Sequence, residues 1–219
     1  MAGALDAVAR VAPAGVEGYR RIRAVLESDG ALSAAHKALL VSVAAAVRGH
    51  DALAARELAR GRELGLDDDA IATAAATLLL SRGEGNVERL MAAAGDIEPH
   101  DPPRPADERS DEQYFLDYGG VDELPARNAV LAARAPEVFA GYHAVHHAAL
   151  RADPARAKLA ELVCCAIQAS ELQGAFVAVH ADMARRVGAT EDELLEAVLC
   201  AWPVSGVGAW AVSFDALQR

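Results

Sequence analysis

Apolar residues recur at three- and four-residue spacing through most of the chain, and the pattern breaks at Gly, Pro and acidic clusters. That is how amphipathic helices with capped ends read in a sequence. The first periodic stretch starts near Ala4, and a helix follows Pro13 and ends at Asp29-Gly30. Ser33 is placed to cap an apolar helix running through Val47. Asp51 is placed to cap the next, which reaches Leu64 and stops at Gly65. Asp67, Asp68 and Asp69 then open a helix to about Ser81, because acidic side chains suit the positive end of a helix. Farther along, the pattern predicts helices over 136–151, 155–171, 174–187 and 191–201, and a terminal helix to Leu217. Thr190 with Glu193 makes a capping box. Runs of β-branched residues are scarce, so no strand is expected.

The pattern repeats. Shifted by 123 residues, the chain aligns with itself without a gap from Pro13/Pro136 to Gly83/Gly206. Gly18-Tyr19 meets Gly141-Tyr142, Arg62 meets Arg185, Gly65 meets Gly188 and Asp69 meets Asp192. Helix starts and stops coincide even where identity is sparse, which points to two copies of one helical unit. The units are expected at 1–93 and 113–219, joined by a Pro-rich, charged linker over 94–112.

Composition narrows the function. With 53% apolar residues and 5% aromatics, the chain can bury a sizeable core, much of it alanine in close-packed helices. A net charge of −11 would be repelled by a phosphate backbone, so nucleic acid is not an expected partner. No apolar run approaches the ~18 residues of a membrane span, and no signal peptide is evident, so a cytoplasmic location away from the membrane is expected. Cys164, Cys165 and Cys200 have no redox or metal spacing and read as small buried hydrophobes.

The stretch Glu161–Gly188 carries the candidate chemistry. Glu161 opens an apolar helix, Gly174 marks a break, and His180 lies on the helix that follows. This stretch, with the GATEDELLEAVL run and the small-residue-rich C-terminal segment, resembles the carboxymuconolactone decarboxylase / alkylhydroperoxidase D-like superfamily. The resemblance implies an all-α fold, here two tandem alkylhydroperoxidase D-like helical units. It also implies a site built from Glu161 and His180, with Gln173 and Phe176 where the peroxidase branch has Cys-x-x-Cys. Without those thiols a dithiol peroxidase cycle has no nucleophile. A carboxylate beside an imidazole raises its pKa and fixes its tautomer, which suits proton transfer next to a carbonyl or after loss of CO2. In the first copy the matching positions are Ala38, His50, Leu53 and Glu57, so the motif is intact only in the second.

Other residues complete the candidate set. His143 and His147 share a helix face and are expected to line the pocket; no Glu or Cys joins them, so no metal is expected, and no cofactor. Trp202 either roofs that pocket or packs the terminal helix. Glu57 and His50, seven apart on one helix face, make either a polar site in the first copy or part of a solvated face, the second being the expectation. The leading reading is a cofactor-free lyase or isomerase for a small organic acid, lactone or carbonyl compound. In it His180 is acid/base, Glu161 orients it, and Gln173, Phe176, His143, His147 and Trp202 position the substrate. The alternatives are a non-catalytic small-molecule binder or scaffold and, behind it, a peroxidase-type reductase. The resemblance also implies a homo-oligomer, a dimer or trimer.

Overall fold

The computed structural model describes residues 2–102 and 105–218, so positions 103 and 104 of the expected linker lie outside the described residues. The chain is all-α, with no strand among the described residues. In order the helices are α1 (Ala2–Ala9), α2 (Pro13–Glu27), α3 (Ala34–Val47), α4 (Asp51–Glu63), α5 (Asp68–Arg82) and α6 (Glu84–Ala94). After the linker come α7 (Asp111–Gly119), α8 (Ala126–Arg134), α9 (Pro136–Leu150), α10 (Ala157–Ser170) and α11 (Gly174–Arg186). The chain finishes with α12 (Glu191–Leu199), α13 (Trp202–Ser205), α14 (Val207–Ser213) and a 3₁₀ turn over Phe214–Leu217.

The helix starts follow from local chemistry. Ser33, Asp67, Ser110 and Thr190 each accept a backbone N–H from the first turn, and Thr190 and Glu193 form the reciprocal capping box. Pro13 and Pro136 occupy the first turn of α2 and α9, where a missing N–H costs nothing. Asp51 is the first residue of α4 rather than its cap; His50 holds the cap position without a side-chain bond.

The shift of 123 residues carries through to the backbone. The bounds of α2, α3 and α4 reappear, residue for residue, as those of α9, α10 and α11. The span of α5 reappears as α12 plus α13, broken where Pro203 removes a helical donor. Gly83 and Gly206 follow with positive φ, 73° and 59°. The two halves do not have separate cores. α3 and α10 are buried on almost every face and pack against each other, and α9 lies on α5. One apolar cluster joins Leu39, Leu40, Ile71 and Leu78 to Leu162, Val163, Ile167 and Leu194. Lys37 is buried and pairs with Glu196 across the halves at 3.1 Å.

Three features differ from the sequence expectation. Helix α6 follows directly on α5, and α7 and α8 form ahead of Pro136, where the pattern predicted no helix. Tyr114 and Phe115 of α7 are buried against Phe139 of α9, which supplies the apolar face that a short, acid-rich stretch hides in sequence. The terminal helix is broken at Gly206 and ends in a 3₁₀ turn.

Candidate active site

Glu161 sits in the second turn of α10, and His180 in the second turn of α11. The two helices pack side by side through a tight connection at Glu171–Gln173. Leu172 takes a left-handed backbone there, φ 62°, where the first half has Gly49 with φ 73°. Gly174 lets the start of α11 lie against the Val212 carbonyl, which any Cβ would strike.

Glu161 is fully buried, and its two oxygens are shared among three partners. His180 Nδ1 lies 2.9 Å from Oε2. Arg151 Nη2 lies 2.7 Å from Oε1, and the Tyr118 hydroxyl donates to the same atom at 3.1 Å. The Arg151 guanidinium also stacks 4.6 Å from the Tyr118 ring centre. With Nδ1 of His180 committed to the carboxylate, Nε2 is the nitrogen that remains for a reactant.

His180 also lines a cavity of about 380 Å³. Its walls include Phe115, Tyr142, Phe176 and Val179; its polar groups include His146, Asn128, Arg127 and Arg186. His146 is buried, and its Nδ1 is 2.7 Å from the Tyr114 hydroxyl. Apolar walls with a few converging polar groups are the usual form of a small-molecule site.

The two histidines are driven in opposite directions. Burial lowers the pKa of His146 to about 3, with His180 and Arg151 adding to the effect. Burial alone would also lower His180, but the adjoining Cys164 sulfur and the Glu161 carboxylate outweigh it and raise the ring well above 6.5. Burial, and then Glu161, push the Tyr118 phenol up, so it serves as a donor. Burial likewise pushes the Cys164 thiol up. Two titrating groups separated in this way suit an acid and a base in one site.

Glu161, Cys164 and His180 bring one ligand-type atom each within 4.8 Å of one another. A cation held there would compete with Arg151 for Glu161 and sit close to its positive charge, so the donor set fits a metal poorly.

Of the residues expected from sequence, the structure brings Glu161, His180 and Phe176 together. The others lie elsewhere. Gln173 is exposed at the N-terminus of α11 and turns to Glu171 at 3.3 Å. His143 and His147 face the linker instead, within 3.7 and 3.6 Å of Asp107, and His143 Nδ1 is 2.7 Å from Asp111. Trp202 begins α13 and is not among the residues lining the cavity. His50 ends up outside the Glu57 cluster, which is built from arginines. His146, Tyr118, Arg151 and Cys164 are the members that periodicity did not single out. His146 was visible only as the i, i+3 neighbour of His143, and all three histidine rings of α9 pack against Tyr114.

The sequence profile of the carboxymuconolactone decarboxylase family matches residues 136–219. This C-terminal part resembles the carboxymuconolactone decarboxylase family. It contains His146, Arg151, Glu161 and His180, so most of the cluster lies in the carboxymuconolactone decarboxylase segment; Tyr118 reaches it from α7. The whole chain shares its fold with a protein described as a candidate gamma-carboxymuconolactone decarboxylase subunit from Burkholderia xenovorans. The two are 21% identical, with a TM-score of 0.62 over 97% of this chain and 87% of that one. None of the curated proteins compared matches the chain.

Proposed function

We propose that this protein is a tandemly duplicated, cofactor-free acid/base catalyst for a small organic acid, lactone or carbonyl compound. The observation that carries the reading is the buried Glu161–His180 pair, 2.9 Å apart, beside a cavity that also holds neutral His146. Glu161 orients His180 and is itself held by Arg151 and Tyr118. His180 enters the reaction protonated and gives its Nε2 proton to a developing enolate, carbanion or lactone oxygen. His146, held by Tyr114, takes a proton from the reactant or from water. Arg127 and Arg186 at the cavity supply positive charge for a carboxylate, and Phe176 with Tyr142 limits water at the reacting carbon. The coincident helix bounds support the duplication, and self-association, measurable by sedimentation velocity, belongs to the same reading.

The test is a panel of small β-keto acids and γ-lactones in D₂O, followed by ¹H NMR. The expected result is enzyme-dependent loss of CO₂ or deuterium incorporation at the carbon next to the carbonyl. His180→Gln should slow it at least about 100-fold, the usual lower size of a general acid/base effect. Turnover at the wild-type rate in His180→Gln would overturn the acid/base assignment. Ligand protection without turnover would support the binder reading instead.

A further inference from the structure

The first half carries its own cleft, of about 540 Å³, at the position that corresponds to the Glu161–His180 cavity. Shifted by 123 residues, Leu5, Tyr19, Arg23, Leu53 and Arg56 fall on Asn128, Tyr142, His146, Phe176 and Val179, and both sets line their cavities. The place of the cavity is kept, and the chemistry is replaced. Glu57 stands where His180 does, and Ala38 where Glu161 does. No acid/base pair is left in this cleft.

Arginines take its place. Arg20, Arg23 and Arg56 line the cleft, and Glu27 is the one carboxylate among the described lining residues. Buried Glu57 accepts from Arg23 at 2.6 Å, from Arg56 at 2.9 Å and from Arg60 at 3.0 Å, which fixes these guanidinium groups in place. Arg23 also donates to Glu27 at 2.7 Å, so Glu57 and Glu27 together face Arg23, Arg56 and Arg60, and Arg20 adds a further positive charge, in a chain whose net charge is −11. Arg23 keeps Nη1 buried and without a hydrogen-bond acceptor. Arg20 meets its nearest carboxylate, Glu17, only at 3.9 Å. Leu53, Leu5 and the Tyr19 ring give the same cleft an apolar side.

We propose that this arginine-lined cleft is a second, non-catalytic site for an organic anion, a carboxylate carried on a small apolar body. Planar guanidinium groups match a carboxylate in a bidentate way, and the apolar wall takes the remainder of the ligand. The site needs no turnover elsewhere in the chain, so it stands independently of the acid/base reading.

The probe is benzoate, with benzyl alcohol as its neutral counterpart, added to the full chain and followed by methyl NMR. Benzoate is expected to shift the Leu53 and Leu5 methyl resonances saturably, and benzyl alcohol to do so at least tenfold more weakly. The double variant Arg20→Gln/Arg56→Gln changes side chains that are 64% and 48% exposed and leaves buried Glu57 paired with Arg23 and Arg60, so the fold should tolerate it. It should weaken benzoate binding at least tenfold while leaving the His180 ring resonances unchanged. His180→Gln should retain the Leu53 shifts, which separates this cleft from the acid/base site. Absence of Leu53 shifts, equal binding of benzyl alcohol, or unchanged affinity in the double variant would each overturn the proposal.

Discussion

Arg151 holds Glu161 at 2.7 Å from the side opposite His180, so the buried carboxylate lies between a guanidinium and an imidazole. This arrangement makes Glu161 a structural anchor as well as a positioning group. Removing one partner of a buried ion pair leaves the other uncompensated, a loss of about 3–5 kcal/mol. Because Arg151 is 20% exposed, Glu161→Gln should fall near the lower end, about 3 kcal/mol. Urea denaturation of the two proteins measures it; a difference below about 1 kcal/mol, the worth of a surface pair, would contradict the buried geometry.

Stability should fall on both sides of neutrality, for different residues. The folded pKa of His146 lies below its unfolded value, near 6.5. The unfolded chain therefore binds the extra proton, and stability is lost as pH falls from about 6.5 toward about 3. For His180 the folded pKa lies above, at about 10, so its contribution is complete below 6.5 and is lost as pH rises toward 10. Each slope is at most about 1.4 kcal/mol per pH unit for a single group. His146→Phe should flatten the acid limb only, and His180→Gln the alkaline limb only, in urea midpoints measured across pH. If either variant flattened the wrong limb, the assignment of the two rings would be reversed.

The turn before α11 gives a third test. A Cβ at Gly174 would meet the Val212 carbonyl oxygen, a backbone atom that cannot swing aside. Gly174→Ala should lower stability by about 1–3 kcal/mol through overpacking. It should also displace the start of α11, so the His180 ring resonances should move. Gly18, which has open space around it on α2, is the control: Gly18→Ala should leave stability unchanged or raise it by about 0.5–1 kcal/mol.

Much of this was legible in the sequence because helix ends are local. Ser33, Asp67 and Thr190 mark the starts of α3, α5 and α12 by chemistry that involves only three or four residues. The pairing of Glu161 with His180 was legible through family resemblance, and the structure places both in a buried pair beside a cavity. The partners of that pair were not legible. Arg151 ends α9 and Tyr118 lies on α7, and neither position is singled out by periodicity. His143 and His147 were chosen because i, i+4 histidines share a face. That face turns to Asp107 in the linker, whose path no local pattern predicts, and to Asp111 at the start of α7. Gln173 follows from the family's motif position and Trp202 from its size, but neither lines the cavity: one holds the cap position of α11 and the other starts α13. The arginine cleft was hidden for the same reason: Arg20 and Arg23 of α2 meet Arg56 of α4 only once the helices pack.

No helix among the described residues is long and apolar enough to cross a membrane. The most direct measurement of the acid/base account is the pKa of the His180 imidazole. Titration by ¹⁵N NMR in wild type and in Glu161→Gln reads the coupling on which the acid/base account depends. The account predicts a wild-type value above 6.5, and a lower value once the carboxylate is replaced by an amide. A wild-type value at or below 6.5, or one that does not move in Glu161→Gln, would contradict it.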